Sequence, residues 1–200
     1  MVESGFYDFD LQHWGFSRGD NESWIKYFKR MRNHSAWNTK NICAWDLSVD
    51  GAQELNSFLI SQPDMFYFSF MTSSTHKDEK SGYHEPDKNI SLMLRIKSRI
   101  LGSKMVRFQD GTVTDSSWYE NDGVVNTISQ KGPTTGRNGP DPLAIYNPEE
   151  SLIPGQWYVM GKLKLDHWKI VGQGRLDDKE KEFLLSLYKK HSSMLWELPD

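Results

Sequence analysis

Trp118-Tyr119-Glu120-Asn121-Asp122-Gly123-Val124-Val125 decides how this chain is read, together with Asp166-His167 further on. Asn-Asp-Gly alone is a turn signal, because each of these residues favours turn conformations. His167 alone has an equally plain structural reading. Together the two stretches suggest chemistry. A hydrolytic triad needs an acid that orients a histidine, and a histidine that takes the proton of a nucleophile. Asp122 precedes His167 in the chain, in the order acid then base. The expectation is that Asp122 is the triad acid and His167 the triad base. A Gly-x-Ser-x-Gly elbow between a strand and a helix should come before both. None is expected here, so the serine is expected to be absent and the chain to be the back portion of an enzyme.

Working outward, the elements place both residues. Asp20 followed by Trp24, Tyr27, Phe28 and Met31 predicts an amphipathic helix over 21–33 capped by Asp20. Asp50 and Gln53 have capping-box spacing ahead of Leu55, Phe58 and Leu59, which predicts a helix over 51–61. Met65-Phe66-Tyr67-Phe68-Ser69-Phe70-Met71 lacks helical flanks and predicts a strand buried on both faces. Residues 72–89 read as a polar loop. A helix over 90–101 would use Ile90, Leu94, Ile96 and Leu101 as its inner face. The Pro- and Gly-rich stretch 131–155 predicts an irregular connection. A second strand is predicted over Trp157–Leu165. A last helix over 178–196 is capped by Asp177, with Glu180 three positions on, and carries Phe183, Leu184, Leu187, Tyr188 and Leu195. His167 then lies between the last strand and the last helix. Asp166 beside it is expected to be a loop or capping carboxylate, because adjacent side chains point apart. Two strands with helices between and after them make the class α/β. Two strands are too few for an independent sheet, which again suggests a missing front.

Composition narrows the classes. The chain has 24 Lys and Arg against 27 Asp and Glu, a net charge of −3 with both signs mixed along it. No basic stripe suggests nucleic acid, so no nucleic-acid partner is expected. No apolar run approaches the roughly 20 residues of a membrane helix. Met1-Val2-Glu3-Ser4 has neither the basic nor the apolar region of a secretory signal. The single cysteine, Cys43, is expected to be a small buried side chain. His13, His34, His76, His84 and His191 share no metal-like spacing. His76 and His84 lie among Asp78, Glu79, Glu85 and Asp87, read as a solvated charged loop in preference to a cation site. The aromatic segment Phe6–Phe16 is expected to pack on a core, with a lipid-facing surface as the alternative.

At these residues the chain resembles the true lipases of the staphylococcal and thermophilic-bacillus type. The motifs are Tyr7-Asp8-Phe9-Asp10-Leu11 with Trp14-Gly15-Phe16, then Asp46-Leu47-Ser48 with Gly51-Ala52 and Leu55-Asn56. Tyr67-Phe68-Ser69-Phe70, Glu120-Asn121-Asp122-Gly123-Val124-Val125-Asn126-Thr127 and Asp166-His167 complete the series. The resemblance implies the C-terminal portion of an α/β-hydrolase fold: last strands, cap helices and C-terminal helix, without the nucleophile-bearing front half. Within one partial domain over 1–200 it implies a helical cap-like segment over about 6–62. A strand, acid and histidine portion follows over about 63–200. It assigns the triad acid to Asp122 and the base to His167.

The family also holds a zinc and a calcium. The zinc-ligand position is Asn41, and the calcium positions near the base are Lys169 and Gly174. An amide is a poor zinc ligand, and an ammonium opposes calcium. Neither metal, and no other cofactor, is expected, and Lys169 is a candidate fixed positive charge in place of the calcium. The implied activity is hydrolysis of long-chain carboxylic esters, triacylglycerol among them, with the missing N-terminal lipase half, carrying the serine, as partner. The intact family is expected to be secreted. A non-catalytic lipid- or partner-binding remnant, or one half of a two-piece lipase, are the alternatives.

Overall fold

The computed structural model describes residues 15–35, 40–41, 43–108, 111, 113–133 and 142–199. The chain divides into two compact units, Met1–Gln53 and Glu54–Asp200.

In the first unit, α1 spans Trp24–Arg32. Its cap is Ser23, whose hydroxyl accepts the Lys26 N–H, and not Asp20 as the sequence suggested. The reason is local: Glu22 N–H bonds the Gly19 carbonyl, so Asp20 is used up in a turn before the helix. Tyr27 is buried while Trp24 and Phe28 are exposed. The short helix α2 spans Cys43–Asp46, and α3 spans Val49–Asn56, crossing the division between the units. Ser48, not Asp50, heads α3: its Oγ accepts the Gly51 N–H at 3.0 Å. Phe16 is buried, as a core role requires, whereas residues 6–14 of that aromatic segment lie outside the described residues. The side chain of Cys43 lies outside them too.

The second unit holds the sheet. Strands β1 (Tyr67–Thr72), β4 (Leu143–Ile145) and β5 (Trp157–Leu163) pair in the order β1-β5-β4, all parallel. Parallel neighbours cannot be joined by tight turns, and the long stretches between these strands supply the crossovers. Tyr67 stacks on Trp157 at 4.8 Å and Phe68 on Tyr158 at 5.8 Å, so aromatic cross-strand pairs fix the register. The register slips between Ser69 and Met71, where β5 carries an extra residue. Gly161 sits there at φ +118°, a conformation few side chains tolerate.

Among the described residues β1 has β5 as its single strand neighbour, and most of it is half-buried where burial on both faces was expected. β4 was expected to be irregular; three residues suffice because β5 supplies the template. The supposed polar loop contains a hairpin, β2 (Thr75–Lys77) with β3 (His84–Pro86). Its turn is held by the Asp78 carboxylate, which accepts the backbone and hydroxyl hydrogens of Ser81. A 3-10 turn over Leu92–Leu94 runs into α4, Arg95–Leu101. Ile90 and Leu94 are buried as expected, but Ile96 is not. The last helix, α5, spans Asp178–Trp196 and starts with the full capping box of Asp177 and Glu180. Leu184 is its buried anchor, and His191 sets its ring edge-on against Phe68 and Phe70 of β1.

The largest fully buried side chains of the described residues are polar: Asn121, Thr75, Asp122, Asp166, Ser73 and Ser98. They gather at the C-terminal ends of β1 and β5. Ligands of open α/β sheets bind at that end.

Candidate active site

The turn after Tyr119 is built around two buried side chains. The Asn121 amide donates to the carbonyls of Ser98 and Tyr119, and its oxygen accepts the Gly123 N–H. Asp122 follows, fully buried. One carboxylate oxygen, Oδ1, accepts the N–H groups of Val124 and Val125, both at 2.9 Å. Gly123 has φ +95°, and a Cβ there would come within 2.8 Å of the Leu94 Cβ. Glycine is therefore required for conformation and for space.

The other oxygen, Oδ2, faces outward from this turn. It accepts the Thr72 hydroxyl at 2.7 Å, the Gln130 amide at 3.3 Å and His167 Nδ1 at 2.9 Å. The His167 backbone N–H also donates to the Asp122 carbonyl at 3.1 Å. The two sequence candidates thus meet, with one wholly buried and the other 43% exposed at its side chain. A carboxylate only accepts, so Nδ1 carries a hydrogen, and in the neutral ring Nε2 keeps a lone pair. Nε2 has no hydrogen-bond partner among the described residues. A buried acceptor holding the far nitrogen leaves a partly exposed imidazole able to take a proton from a hydroxyl and return it.

Asp166 is the capping carboxylate expected. Its Oδ1 accepts the N–H groups of Trp168 and Lys169, and its Oδ2 accepts both the N–H and the hydroxyl of Ser91 at 2.7 Å. It does not touch the imidazole. Glu120 lies at the rim. Burial pushes its carboxyl up, but Lys162 Nζ, at 2.8 and 3.0 Å from its oxygens, acts with Ser73 and Lys164 to hold it below the ordinary value.

Thr72 and Gln130 were not singled out in the sequence. Thr72 ends a strand, and Gln130 ends a 3-10 turn over Thr127–Gln130; neither has a local signal. The stretch Asp-Gly-Val-Val-Asn-Thr returns the chain towards β1 and brings Gln130 against Thr72. The Thr127 hydroxyl completes that return by donating to the Thr72 carbonyl at 2.8 Å.

One expectation needs correction. The letters Gly-x-Ser-x-Gly do occur, at Gly15-Phe16-Ser17-Arg18-Gly19. They do not form an elbow. An elbow places its serine on a sharp turn at the head of a helix. Here Ser17 lies in irregular chain, its carbonyl takes the Arg30 guanidinium at 2.8 Å, and a further turn intervenes before α1. Gly15 and Phe16 belong instead to the Trp-Gly-Phe motif.

The positions that the resemblance gives to metals do not fit them. Lys169 is 5% exposed, and its ammonium lies 2.5 Å from Glu180 Oε1. Glu180 also closes the cap of α5 through Oε2. A divalent cation there would meet a buried like charge. Gly174 offers no oxygen from a side chain, and Asn41 offers only an amide on an exposed residue. In the hairpin, His76 pairs with Asp87 at 2.8 Å and Glu85 with Arg99 at 2.8 Å, which is an ion-paired surface.

Known proteins bear on this geometry. The family model described as "Lipase-like, C-terminal domain" matches residues 3–195. The chain belongs to that family. The lipase of Staphylococcus epidermidis is 32% identical to this lipase-like domain over 173 residues, covering 86% of the chain and 23% of the relative. The crystal structure of Staphylococcus hyicus lipase superposes with a TM-score of 0.72 at 26% identity, covering 96% of this chain and 46% of that one. Lipase 1 of Pelosinus fermentans gives 0.71 at 35% identity, covering 97% and 49%. The lipase-like domain thus spans about a quarter of its curated relative and under half of each solved structure. It is a C-terminal portion of the α/β-hydrolase fold. Among the described residues no helix is long and apolar enough to cross a membrane.

Proposed function

We propose that this lipase-like domain supplies the acid and base of a carboxylic ester hydrolase acting on long-chain esters. The serine and oxyanion donors would come from the N-terminal portion of the lipase fold, as a preceding or separate chain. The observation that supports this most is the 2.9 Å bond from His167 Nδ1 to the buried Asp122 Oδ2. In the assembled site His167 Nε2 takes the serine proton as Oγ attacks the ester carbonyl, then protonates the leaving alcohol. Water repeats the sequence on the acyl-serine. Asp122 stays ionised and stabilises the imidazolium. The helices of the first unit would serve as a cap-like segment. The edge of β1 away from β5, before Thr72, would take the next strand of the sheet, since unpaired strand backbone seeks a partner.

The test is production of this chain with and without a nucleophile-bearing lipase portion, assayed on short- and long-chain p-nitrophenyl esters. The chain alone should match the buffer blank. The combination should turn over, and His167→Ala should remove that activity. Turnover by the combination that survives His167→Ala would overturn the reading.

A further inference from the structure

Residues 88–107 combine a run of cations with exposed apolar side chains. The segment holds Lys88, Arg95, Lys97, Arg99, Lys104 and Arg107 and no Asp or Glu, in a chain of net charge −3. Its inward residues are Ile90, Leu94 and Ser98, all buried. Facing outward, Leu92 is 82% exposed, Met93 80%, Ile96 77% and Ile100 54%. The helical repeat sets Ile96 beside Ile100, with Arg95 and Arg99 along one flank and Lys97 along the other. Leu92 and Met93 continue the apolar stripe into the preceding turn. Arg99 is bound to Glu85, while Lys88, Lys97 and Lys104 form no ion pair among the described residues.

An apolar stripe bordered by cations on both sides suits one kind of partner. The core of a protein–protein interface is depleted of lysine. A helix lying in a lipid headgroup layer has this composition, its apolar residues sunk among acyl chains and its cations reaching to the headgroups. Five cations with no carboxylate partner among the described residues favour anionic lipid over neutral lipid. We propose that residues 88–107 dock the domain onto an anionic lipid surface. The stripe is tied to both candidate catalytic loops. Ser91 bonds Asp166, next to His167, and Leu94 packs on Gly123, next to Asp122. Docking would therefore set the lipid surface beside the Asp122–His167 pair. The binding needs no serine, so it stands or falls separately from the ester-hydrolase reading.

The experiment is co-flotation of the full chain with vesicles of phosphatidylcholine alone or of phosphatidylcholine mixed with phosphatidylglycerol. Binding is expected to the mixed vesicles, weakened by added salt, with little to the neutral ones. Each cation removed should weaken it about fivefold, so Lys88→Gln, Lys97→Gln and Lys104→Gln together should cost roughly a hundredfold. Ile96→Ser with Ile100→Ser should abolish binding. All five side chains are exposed, so the variants should keep the parent's melting transition. Equal binding to both vesicle types, or variants that bind like the parent, would overturn the proposal. So would absent vesicle binding. In that case, if Ile96→Ser with Ile100→Ser removes self-association in sedimentation velocity, the stripe is a protein interface.

Discussion

Asp122 and Asp166 are the same local device put to different ends. Each is wholly buried. In each, Oδ1 accepts the N–H groups two and three residues on: Val124 and Val125 for Asp122, Trp168 and Lys169 for Asp166. Each therefore closes its own turn with one oxygen and offers the other to the fold. The Oδ2 of Asp166 is taken by Ser91, a backbone and a hydroxyl donor that do no chemistry. The Oδ2 of Asp122 is taken by a hydroxyl, an amide and an imidazole. A carboxylate becomes a candidate catalytic acid through what reaches its second oxygen. The turn that holds it is common to both roles.

Exchanging each acid for its amide should separate the two ends most sharply. In the assembled enzyme, Asp122→Asn should lower kcat by about 10⁴, because the imidazole loses its orienting acceptor. Asp166→Asn should leave kcat per folded molecule within about tenfold, yet cost roughly 2 kcal/mol of stability in urea melts. If the two variants lose kcat alike, the division of labour between the carboxylates is wrong.

A smaller effect belongs to the neutral donors on Asp122. Thr72→Val removes a 2.7 Å bond to a buried carboxylate and should lower kcat about tenfold, with Thr72→Ser restoring most of it. Gln130→Met removes a longer bond, 3.3 Å, and should do less. A Thr72→Val enzyme with an unchanged rate and pH profile would reduce Thr72 to packing.

His191 gives a pH dependence away from the site. Desolvation pushes its pKa below the ordinary 6.5, and the ring is packed edge-on against Phe68 and Phe70. Below about pH 6.5 the unfolded chain takes up a proton that the folded one resists, so stability is fullest above that value and declines as pH falls towards the folded pKa. His84 shifts in the same direction, chiefly by burial. His191→Phe should flatten the decline between about pH 7 and pH 5 in urea melts. An identical slope in the variant would assign the dependence elsewhere.

Two changes should do nothing. Ser17→Ala should leave the assembled enzyme's turnover unchanged, since its Gly-x-Ser-x-Gly is a coincidence of letters. Calcium or a chelator should leave the melting curve of the domain where it was, because Lys169 already neutralises Glu180. A loss of turnover with Ser17→Ala would reinstate that serine as nucleophile.

The boundaries of α5 and the order of β1, β5 and His167 were legible in the sequence because capping chemistry and aromatic runs act over a few residues. The cap of α1 was misplaced by three positions because Asp20 and Ser23 compete for the same job, and a turn through Gly19 decides between them. β4 and the β2–β3 hairpin were invisible, since three-residue strands owe their pairing to neighbours and not to composition. Ile96 carries an inward signal in the sequence and an outward position in the fold. By itself the sequence determined that Asp122 and Asp166 would sit in turns, because the donors of those turns lie within three residues. The order of the motifs pointed to Asp122 as the partner of His167, but the contact itself is made by tertiary structure. That meeting depends on β1 and β5 bringing Thr72, Asp122 and His167, far apart in the chain, to one end of a sheet.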